Sequence, residues 1–190
     1  MGQGRDDYSY INAKKPYSKL IKKIFKKKKL NSKLVLVKKE KSYSFLKQVK
    51  NNYLKNLGNI ENLAFALTIV KKLKINNKTI IKALNSFKGL PHRQELILSN
   101  KNIRRINDSK ATSFDASLQS LLNYNKIYWI LGGIPKKNDS FYLKYVKKNI
   151  IRAYIIGNNI TFFKKIINKN IPYIVSKNLN SAVRDIYRDI

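Results

Sequence analysis

Between residues 91 and 190, short apolar runs alternate with amphipathic segments of helical period. A strand, a helix and a further strand in succession place the two strands parallel, because the helix carries the chain back to the same edge of the sheet. Apolar runs of this kind are KIYWILGG, RAYIIG and PYIV. The alternation therefore predicts an α/β fold with an open, mostly parallel sheet in this half of the chain.

The individual elements follow from period and from turn residues. We predict strands at 96–98, 103–106, 126–133, 152–157 and 172–175, the first two joined by the polar turn SNKN. Helices are predicted after NDSKAT and at 140–148, 161–167 and 178–190. Trp129 alternates into a predicted buried strand, so we interpret it as a core residue.

The first half of the sequence is mainly helical in pattern. Apolar residues recur at helical spacing over 17–25, and LVLV at 34–37 predicts a short buried strand. Asn59 is a candidate N-cap for the helix NIENLAFALTIVKKLK, and Asn76 or Asn77 for the next helix. Gly89 and Pro91 then end that helix.

The net charge is strongly positive, with 41 Lys+Arg against 10 Asp+Glu, or +31. Such a charge is typical of proteins that bind nucleic acid. However, only seven of the 41 are Arg, and Lys occurs with abundant Ile and Asn, as AT-rich codons produce. A basic nucleic-acid-binding protein stays open as an alternative, and the one dense basic run is 26–29. Steep salt dependence of binding would distinguish it.

Several classes of site and location are disfavoured by composition. The chain has no Cys and one His, which argues against disulfides and against Cys- or His-rich metal centres. Its longest uncharged stretch, 153–163, is far shorter than the roughly 20 residues that span a bilayer. The first ten residues lack the apolar core of a secretory signal. We therefore expect a cytoplasmic protein with no membrane partner.

Candidate binding residues follow the predicted strands, because ligands of open α/β sheets bind outside the carboxyl ends of the strands. These residues are NDSK at 107–110, GGIPK at 132–136 and Gly157 with Asn158. Two of the loops carry a Lys and one carries an Asp. This combination suits an anionic or phosphorylated ligand.

Four segments resemble the Mur ligases, in order and in spacing. They are GNIENLAFA (58–66), SFKGLPHRQE (86–95), INDSKAT (106–112) and ILGGIPK (130–136). The resemblance implies that residues 1–90 are the end of the family's central ATPase domain, incomplete and mainly helical. It implies that residues 91–190 are the Rossmann-like C-terminal domain, truncated at its end. GLPHR would be the hinge between them.

The resemblance also implies an activity. The best match is to the branch that uses ATP to join D-glutamate to UDP-N-acetylmuramoyl-L-alanine in peptidoglycan synthesis, through an acyl phosphate. ATP and Mg²⁺ would serve the full-length enzyme, which we expect to be a monomer. Yet the sequence contains no G-x-x-x-x-G-K-[ST] phosphate loop, and the UDP-binding domain is missing. We therefore expect the chain alone to be inactive and to bind no cofactor tightly.

The resemblance assigns nucleotide contacts to four residues: Asn59, Arg93, Asp108 and Lys110. Arg93 and Lys110 would also be catalytic, as cations beside the phosphoryl group. Structural alternatives exist for three of them: an N-cap for Asn59, a surface ion pair for Arg93 and a helix cap for Asp108.

Thr112 and Lys136 would contact the carboxylates of D-glutamate. We assign no metal ligands, and we expect His92 to orient the hinge rather than act as a base. Gly58 stands where the family has His. A catalytically inactive interaction module with the same fold is the remaining alternative.

Overall fold

The computed structural model describes residues 4–100, 102–136, 139, 142–167 and 170–190. The fold is mixed α/β, as predicted. The chain divides into two compact units, one ending at Lys88 and the other beginning at Gly89. None of the helices within the described ranges is long and apolar enough to cross a membrane.

The described part of the first unit, from residue 4 onward, contains a parallel pair of strands and four α-helices. Its elements are β1 (Tyr8–Asn12), α1 (Tyr17–Lys27), β2 (Lys33–Val37), α2 (Tyr43–Leu46), α3 (Leu57–Lys72) and α4 (Asn77–Ser86). In register, Tyr8 lies opposite Lys33 and Asn12 opposite Val37. The β1 strand was not among the predicted elements.

Helices α3 and α4 pack around an apolar cluster. Phe45, Leu63, Leu67 and Ile80 are buried there. Leu63 and Leu67 are four residues apart and therefore lie on the same side of α3. Removing one such side chain from water contributes about 1.5–3 kcal/mol, so this cluster holds the helices together.

The predicted N-cap of α3 is wrong by three residues. The helix begins at Leu57, so Asn56 occupies the N-cap position and Asn59 lies within the first turn. The Asn59 side chain instead donates to the Tyr53 carbonyl at 2.7 Å, which anchors the helix to the preceding turn. Of the two predicted candidates, Asn76 is the N-cap of α4. Its side chain accepts from the Thr79 N–H at 2.9 Å.

The second unit carries a parallel sheet with helices and a separate hairpin. Its elements are β3 (Glu95–Ser99), β4 (Arg104–Asn107), α5 (Phe114–Asn123), β5 (Ile127–Gly132), β6 (Ile150–Ile156), α6 (Ile160–Ile167), β7 (Tyr173–Val175) and α7 (Leu179–Asp189). Strands β5, β6 and β7 are parallel neighbours in that order, as expected of a Rossmann-like sheet. Strands β3 and β4 pair antiparallel with each other.

The predicted helix at 140–148 is wrong in its described part. Two short 3₁₀ turns, Leu143–Tyr145 and Lys147–Asn149, occupy this stretch, while residues 140 and 141 lie outside the described residues. Only Val146 is fully buried there. Leu143 packs against the same core cluster, and these two apolar contacts do not make the repeated stripe that stabilises an amphipathic α-helix.

The core of the second unit lies where α5 and α6 pack against the sheet. Ile155 and Ile167 are fully buried in it. Trp129 packs against this cluster, with its ring centroid 6.3 Å from that of Phe114 in an edge-to-face arrangement. The interpretation of Trp129 as a core residue is confirmed.

Asp189, at the end of α7, ties that helix to the sheet. Its carboxylate accepts from Arg152 Nη1 at 2.7 Å and from the hydroxyl of the fully buried Tyr154. The hydrogen bond from Tyr154, followed by that from Arg152, lowers the pKa of Asp189 below its ordinary value. Burial, with the Asp189 carboxylate beside it, raises the pKa of Tyr154 well above its ordinary value.

Candidate functional site

The GLPHR segment enters the second unit in an unusual backbone conformation. His92 (φ 61°) and Gln94 (φ 49°) both adopt left-handed values, which are uncommon for residues other than Gly. Hydrogen bonds hold this shape: the Gln94 N–H donates to Asp108 Oδ1 at 3.0 Å, and the Lys110 N–H donates to the His92 carbonyl at 3.0 Å. The segment that carries Arg93 is therefore attached to the loop that follows β4.

Asp108 is the centre of this junction. Its carboxylate accepts from the Gln94 backbone and from the Ser120 hydroxyl on α5. Asn123, also on α5, donates to Gln94 Oε1 at 3.0 Å. Asp108 thus joins three parts of the chain, and a carboxylate with about four acceptor positions retains capacity for a further donor.

His92 contacts polar side chains of the neighbouring hairpin. Its Nδ1 lies 2.8 Å from Asn107 Nδ2, and its backbone N–H donates to Glu95 Oε2 at 2.9 Å. Asn107 Nδ2 is also 3.3 Å from Glu95 Oε2. These contacts hold the His92 ring and backbone against the hairpin, and its role in orienting the segment stays a prediction.

The loop between β4 and α5 presents Lys110 and Thr112. Its turns are closed by the Ala111 N–H on the Asp108 carbonyl at 2.8 Å and by the Thr112 N–H on the Lys110 carbonyl at 3.0 Å. The Lys110 and Thr112 side chains are exposed. A compact backbone therefore holds two accessible polar groups two residues apart.

The loop after β5 carries Lys136 and is connected to the same region. The Asp139 N–H donates to the Lys136 carbonyl at 3.2 Å. Both Asp139 oxygens accept from the Phe114 N–H at the start of α5, at 3.0 and 3.1 Å. Phe114 follows Thr112 by two residues, so Asp139 attaches the Lys136 loop next to Thr112.

Gly132 and Gly133 allow the end of β5 to lie very close to the end of β6. A Cβ on Gly132 would lie 2.2 Å from the Ile156 carbonyl oxygen of β6. Gly133 has φ +107°, which side-chain-bearing residues rarely adopt, and its carbonyl accepts from Asn159 Nδ2 at 2.9 Å. The loops after β5 and β6 therefore approach each other closely.

The structure brings five predicted residues into one connected set of loops. The first junction is the set of contacts that joins the Arg93 segment to Asp108 and Lys110. The second junction is the contact of Asp139 with the Phe114 N–H, which brings the Lys136 loop next to Thr112. Segment 108–114 connects the two. Asn59 belongs to the first unit, where its side chain contacts Tyr53. The roles assigned to these residues remain predictions.

The charges of this set suit an anion. Arg93, Lys110 and Lys136 are all exposed cations, while Asp108 and Glu95 are partly buried and hydrogen-bonded within the protein. Exposed Arg and Lys side chains offer charge-assisted hydrogen bonds to phosphate or carboxylate. Within the described ranges, no three His, Asp or Glu side chains come together as a metal site.

Comparison with known proteins identifies the family. A protein of Rickettsia felis named UDP-N-acetylmuramoylalanine–D-glutamate ligase is 34% identical over 139 residues, which is 73% of this chain and 31% of that protein. A protein of the same name from Wolbachia sp. subsp. Brugia malayi is 36% identical over 127 residues, 67% of this chain and 26% of its own length. The chain belongs to the Mur ligase family. No family model matches it.

The match covers part of a Mur ligase only. A third protein with this name, from Rhizobium meliloti, is 35% identical over 125 residues, 66% of this chain and 27% of that protein. The chain thus spans between about a quarter and a third of the length of the curated relatives it matches. The resemblance seen in the four sequence segments is confirmed at the level of the family.

Sequence reasoning missed the residues that assemble this Mur ligase region. Ser120, Asp139 and Asn159 lie 12, 25 and 26 residues from the groups that they contact. Asp139 carries no local signal, because the N–H that it accepts from belongs to the first residue of α5, 25 positions away. Ser120 lies inside α5 and likewise carries no local signal, whereas Asn159 directly precedes α6, a position where Asn is a usable N-cap signal.

Proposed function

We propose that this chain is part of an ATP-dependent ligase that joins D-glutamate to UDP-N-acetylmuramoyl-L-alanine in peptidoglycan synthesis. The names of its relatives support this reaction class. One observation supports the proposal most: segment 108–114 is hydrogen-bonded at both ends. Near its start the Lys110 N–H donates to the His92 carbonyl beside Arg93, and at its end the Phe114 N–H donates to Asp139 of the Lys136 loop. Groups for a phosphate and for an amino acid are thereby held on one short stretch of backbone.

The proposed chemistry explains why cations are needed. The substrate carboxylate takes the γ-phosphoryl group of ATP and releases ADP. The amine of D-glutamate then attacks the acyl carbon and expels phosphate. Negative charge develops on phosphoryl and tetrahedral oxygens in both steps, and fixed cations stabilise it. Arg93 offers a planar fork for two oxygens, and Lys110 offers a mobile point charge.

The amino-acid contacts follow from the second junction. Lys136 and the Thr112 hydroxyl are the proposed partners of the D-glutamate carboxylates. Asp139 keeps the two loops together through the Phe114 N–H. This arrangement presents one cation and one neutral donor to a dicarboxylate, which favours an acidic amino acid over a neutral one.

Asn59 is proposed as a contact of the adenine side. Its Nδ2 donates to the Tyr53 carbonyl, so the amide oxygen is the atom that we assign to the nucleotide. The Asp108 carboxylate already accepts two hydrogen bonds within the protein and can accept more, so we propose that it also accepts one from a ribose hydroxyl. Magnesium receives no ligands in this proposal, and no step is assigned to it.

We further propose that residues 1–190 alone catalyse neither ATP hydrolysis nor the ligation of D-glutamate. Phosphoryl transfer requires the β- and γ-phosphates to be held together with their metal, and the sequence shows no Gly-rich phosphate loop. Arg93, Asp108 and Lys110 supply charge-assisted contacts of about 1.5–3 kcal/mol each when well ordered, and less when exposed. Such contacts support weak nucleotide binding without catalysis.

The test measures phosphate release that depends on D-glutamate. Residues 1–190 are compared with a chimera in which they are joined to the part of the Rickettsia felis ligase outside the matched region. The chimera should release phosphate, and Arg93→Ala or Lys136→Ala should lower kcat/KM about 10- to 100-fold. The exposed residues Arg184 and Lys148 provide matched controls, and Arg184→Ala or Lys148→Ala should stay within about twofold of the parent.

Two results would contradict the proposal. Strong D-glutamate-dependent phosphate release from residues 1–190 alone would show that the chain has all the parts it needs. Equal losses in the site variants and in the matched controls would show that Arg93 and Lys136 act through general charge or stability rather than through the substrate.

A further inference from the structure

Lysine side chains from different elements meet at one edge of the β1–β2 pair. Lys33 begins β2 and lies opposite Tyr8, the first residue of β1. Its Nζ is 5.4 Å from the centroid of the Tyr8 ring, and Nζ of Lys72, at the end of α3, is 3.9 Å from the same centroid. The end of α3 therefore lies at the amino-terminal edge of the two strands, where one ring holds two ammonium groups.

Helix α1 ends at the same edge. It returns the chain from the end of β1 to the start of β2, because the two strands are parallel. In agreement, Lys26 of its last turn lines a cleft of about 360 Å³ together with Ser32, the residue before Lys33. The exposed Lys run 26–29 thus adjoins Lys33.

The turn after α1 holds this run in a folded conformation. The Lys28 N–H donates to the Ile24 carbonyl at 2.9 Å, and the Leu30 N–H donates to the Phe25 carbonyl at 3.4 Å. Lys29 has φ 45°, the left-handed value that Gly usually supplies after a helix. A residue with a side chain costs about 1–2 kcal/mol in this conformation. The run is therefore a defined turn that carries Lys even where Gly is easier to accommodate.

Carboxylates are scarce at this edge. Residues 8–39 contain twelve Lys and no Asp or Glu. Glu40 and Glu61 pair with lysines of the loop that follows β1, at the carboxyl ends of the strands. The sequence RDD at 5–7 precedes β1 and adds one cation and two carboxylates. A large excess of positive charge therefore remains at the amino-terminal edge.

We propose that this edge binds nucleic acid through the phosphate backbone, independently of base sequence. We call it the basic edge, and its residues are Lys26, Lys27, Lys28, Lys29, Lys33 and Lys72. All six are Lys, a mobile point charge that suits phosphate oxygens, whereas the bidentate fork of Arg is better suited to reading bases. The inference goes beyond the proposed ligase reaction and does not rest on it.

The basic edge is separate from the nucleotide contact proposed for the first unit. Ligands of parallel sheets bind beyond the carboxyl ends of the strands, and the basic edge is at their amino ends. Along α3, Lys72 follows Asn59 by 13 residues, which corresponds to about 20 Å of helix. Nucleic acid on the basic edge would therefore leave Asn59 accessible.

Shape and chemistry favour a nucleic acid over a small anion or a lipid surface. Exposed Lys side chains bind a single small anion weakly, whereas a chain of phosphates contacts several of them at once and releases its counterions. A lipid surface requires large apolar side chains among the cations. At this edge Lys72 lies over the partly exposed Tyr8 ring, and Phe25 faces the cleft, so neither ring is placed to insert.

The experiment titrates a labelled poly(U) RNA with residues 1–190 and follows fluorescence anisotropy between about 50 and 200 mM salt. The site variant carries Lys27→Gln, Lys28→Gln and Lys29→Gln. It should bind about 10-fold more weakly at the lower salt concentration, because each lost contact removes part of the counterion release. The slope of log affinity against log salt should fall by about 2, since each single-strand phosphate contact contributes about 0.7.

The matched control removes the same charge elsewhere. It carries Lys144→Gln, Lys147→Gln and Lys148→Gln, at exposed positions of the second unit. Its affinity should stay within about twofold of the parent, because these residues lie outside the basic edge. All substituted side chains are exposed, so both variants should keep the circular dichroism spectrum of the parent. If the site variant does not, Lys33→Gln combined with Lys72→Gln tests the same edge from two other elements.

Three outcomes would overturn the inference. The first is the absence of salt-dependent RNA binding by the parent chain. The second is an equal loss in the site variant and in the control, which would show that net charge alone drives binding. The third is binding to phosphatidylglycerol vesicles that the site variant loses while it retains RNA binding. An anionic lipid surface would then be the partner, with Ile24, 40% exposed one turn before the run, as the inserting residue.

Discussion

Replacing Gly132 with Ala tests how closely the ends of β5 and β6 approach. The added Cβ would lie 2.2 Å from the Ile156 carbonyl oxygen and 2.9 Å from Ile156 Cγ1. The first of these atoms belongs to the backbone of the neighbouring strand, so no rotamer change relieves the overlap. Strands β5 and β6 must therefore separate by about 1 Å at this end, directly beside the buried pair Leu131 and Ile155 of the densely packed core.

The expected cost is large for a single methyl group. Overpacking typically destabilises by about 1–3 kcal/mol, and a backbone collision belongs at the upper end. Replacing Gly with Ala recovers about 0.4–1 kcal/mol by restricting the unfolded chain. The net loss for Gly132→Ala is then about 2 kcal/mol. In a unit of this size it lowers the Tm by about 8–16 °C.

The assay uses the one Trp of the chain. Trp129 lies on β5 and packs against the core of the second unit, so its fluorescence reports on the unfolding of that unit. Gly133→Ala is the comparison, because its Cβ would meet nothing within 4 Å and only its φ of +107° is unfavourable. We expect Gly133→Ala to be the milder change. A Tm for Gly132→Ala within about 2 °C of the parent would refute the reasoning.

Two further predictions concern charge and packing. Because Tyr154, and then Arg152, lower the pKa of Asp189, its contribution to stability is present above the ordinary value of 3.8 and is lost as the pH falls through the lower folded value. Asp189→Asn should remove this pH dependence from urea midpoints measured between pH 2 and 7, and an unchanged pH profile would contradict it. In α3, Leu67→Ala should cost about 2–5 kcal/mol, since Leu67 is 2% exposed. Ile69→Ala, at 40% exposure, should cost under about 1 kcal/mol; circular dichroism on heating measures both, and equal losses would contradict the assigned packing.

The elements that could be predicted from sequence are those whose signals are local. Strand β5 is a continuous apolar run that ends in Gly, and β6 is apolar except for Arg152 and ends just before Gly157; both overlap the strands that the sequence predicts. The Asn76 cap was also predictable as one of two neighbouring Asn residues, because a cap acts over three residues. These sequence patterns predict the structure correctly because the interacting residues are close together in the chain.

Other elements depend on distant partners. The β1 strand, YSYIN, has no continuous apolar run, and it is a strand because β2 pairs with it 25 positions along the chain. The start of α3 was mispredicted because Asn59 contacts the turn at Tyr53, which leaves Asn56 at the cap position. Intrinsic preference is a weak guide where tertiary contacts compete with it.

The sequence by itself determined the family, the α/β class and the short motifs that hold the candidate residues. Motif order and spacing suffice for that, since they are properties of the chain alone. Only the tertiary structure decided how these motifs meet: through Asp108 on Gln94 and Ser120, and through Asp139 on Phe114. Each of these contacts joins residues 12 to 25 positions apart. Their distance is determined by the path of the intervening strands and helices, which no local pattern specifies.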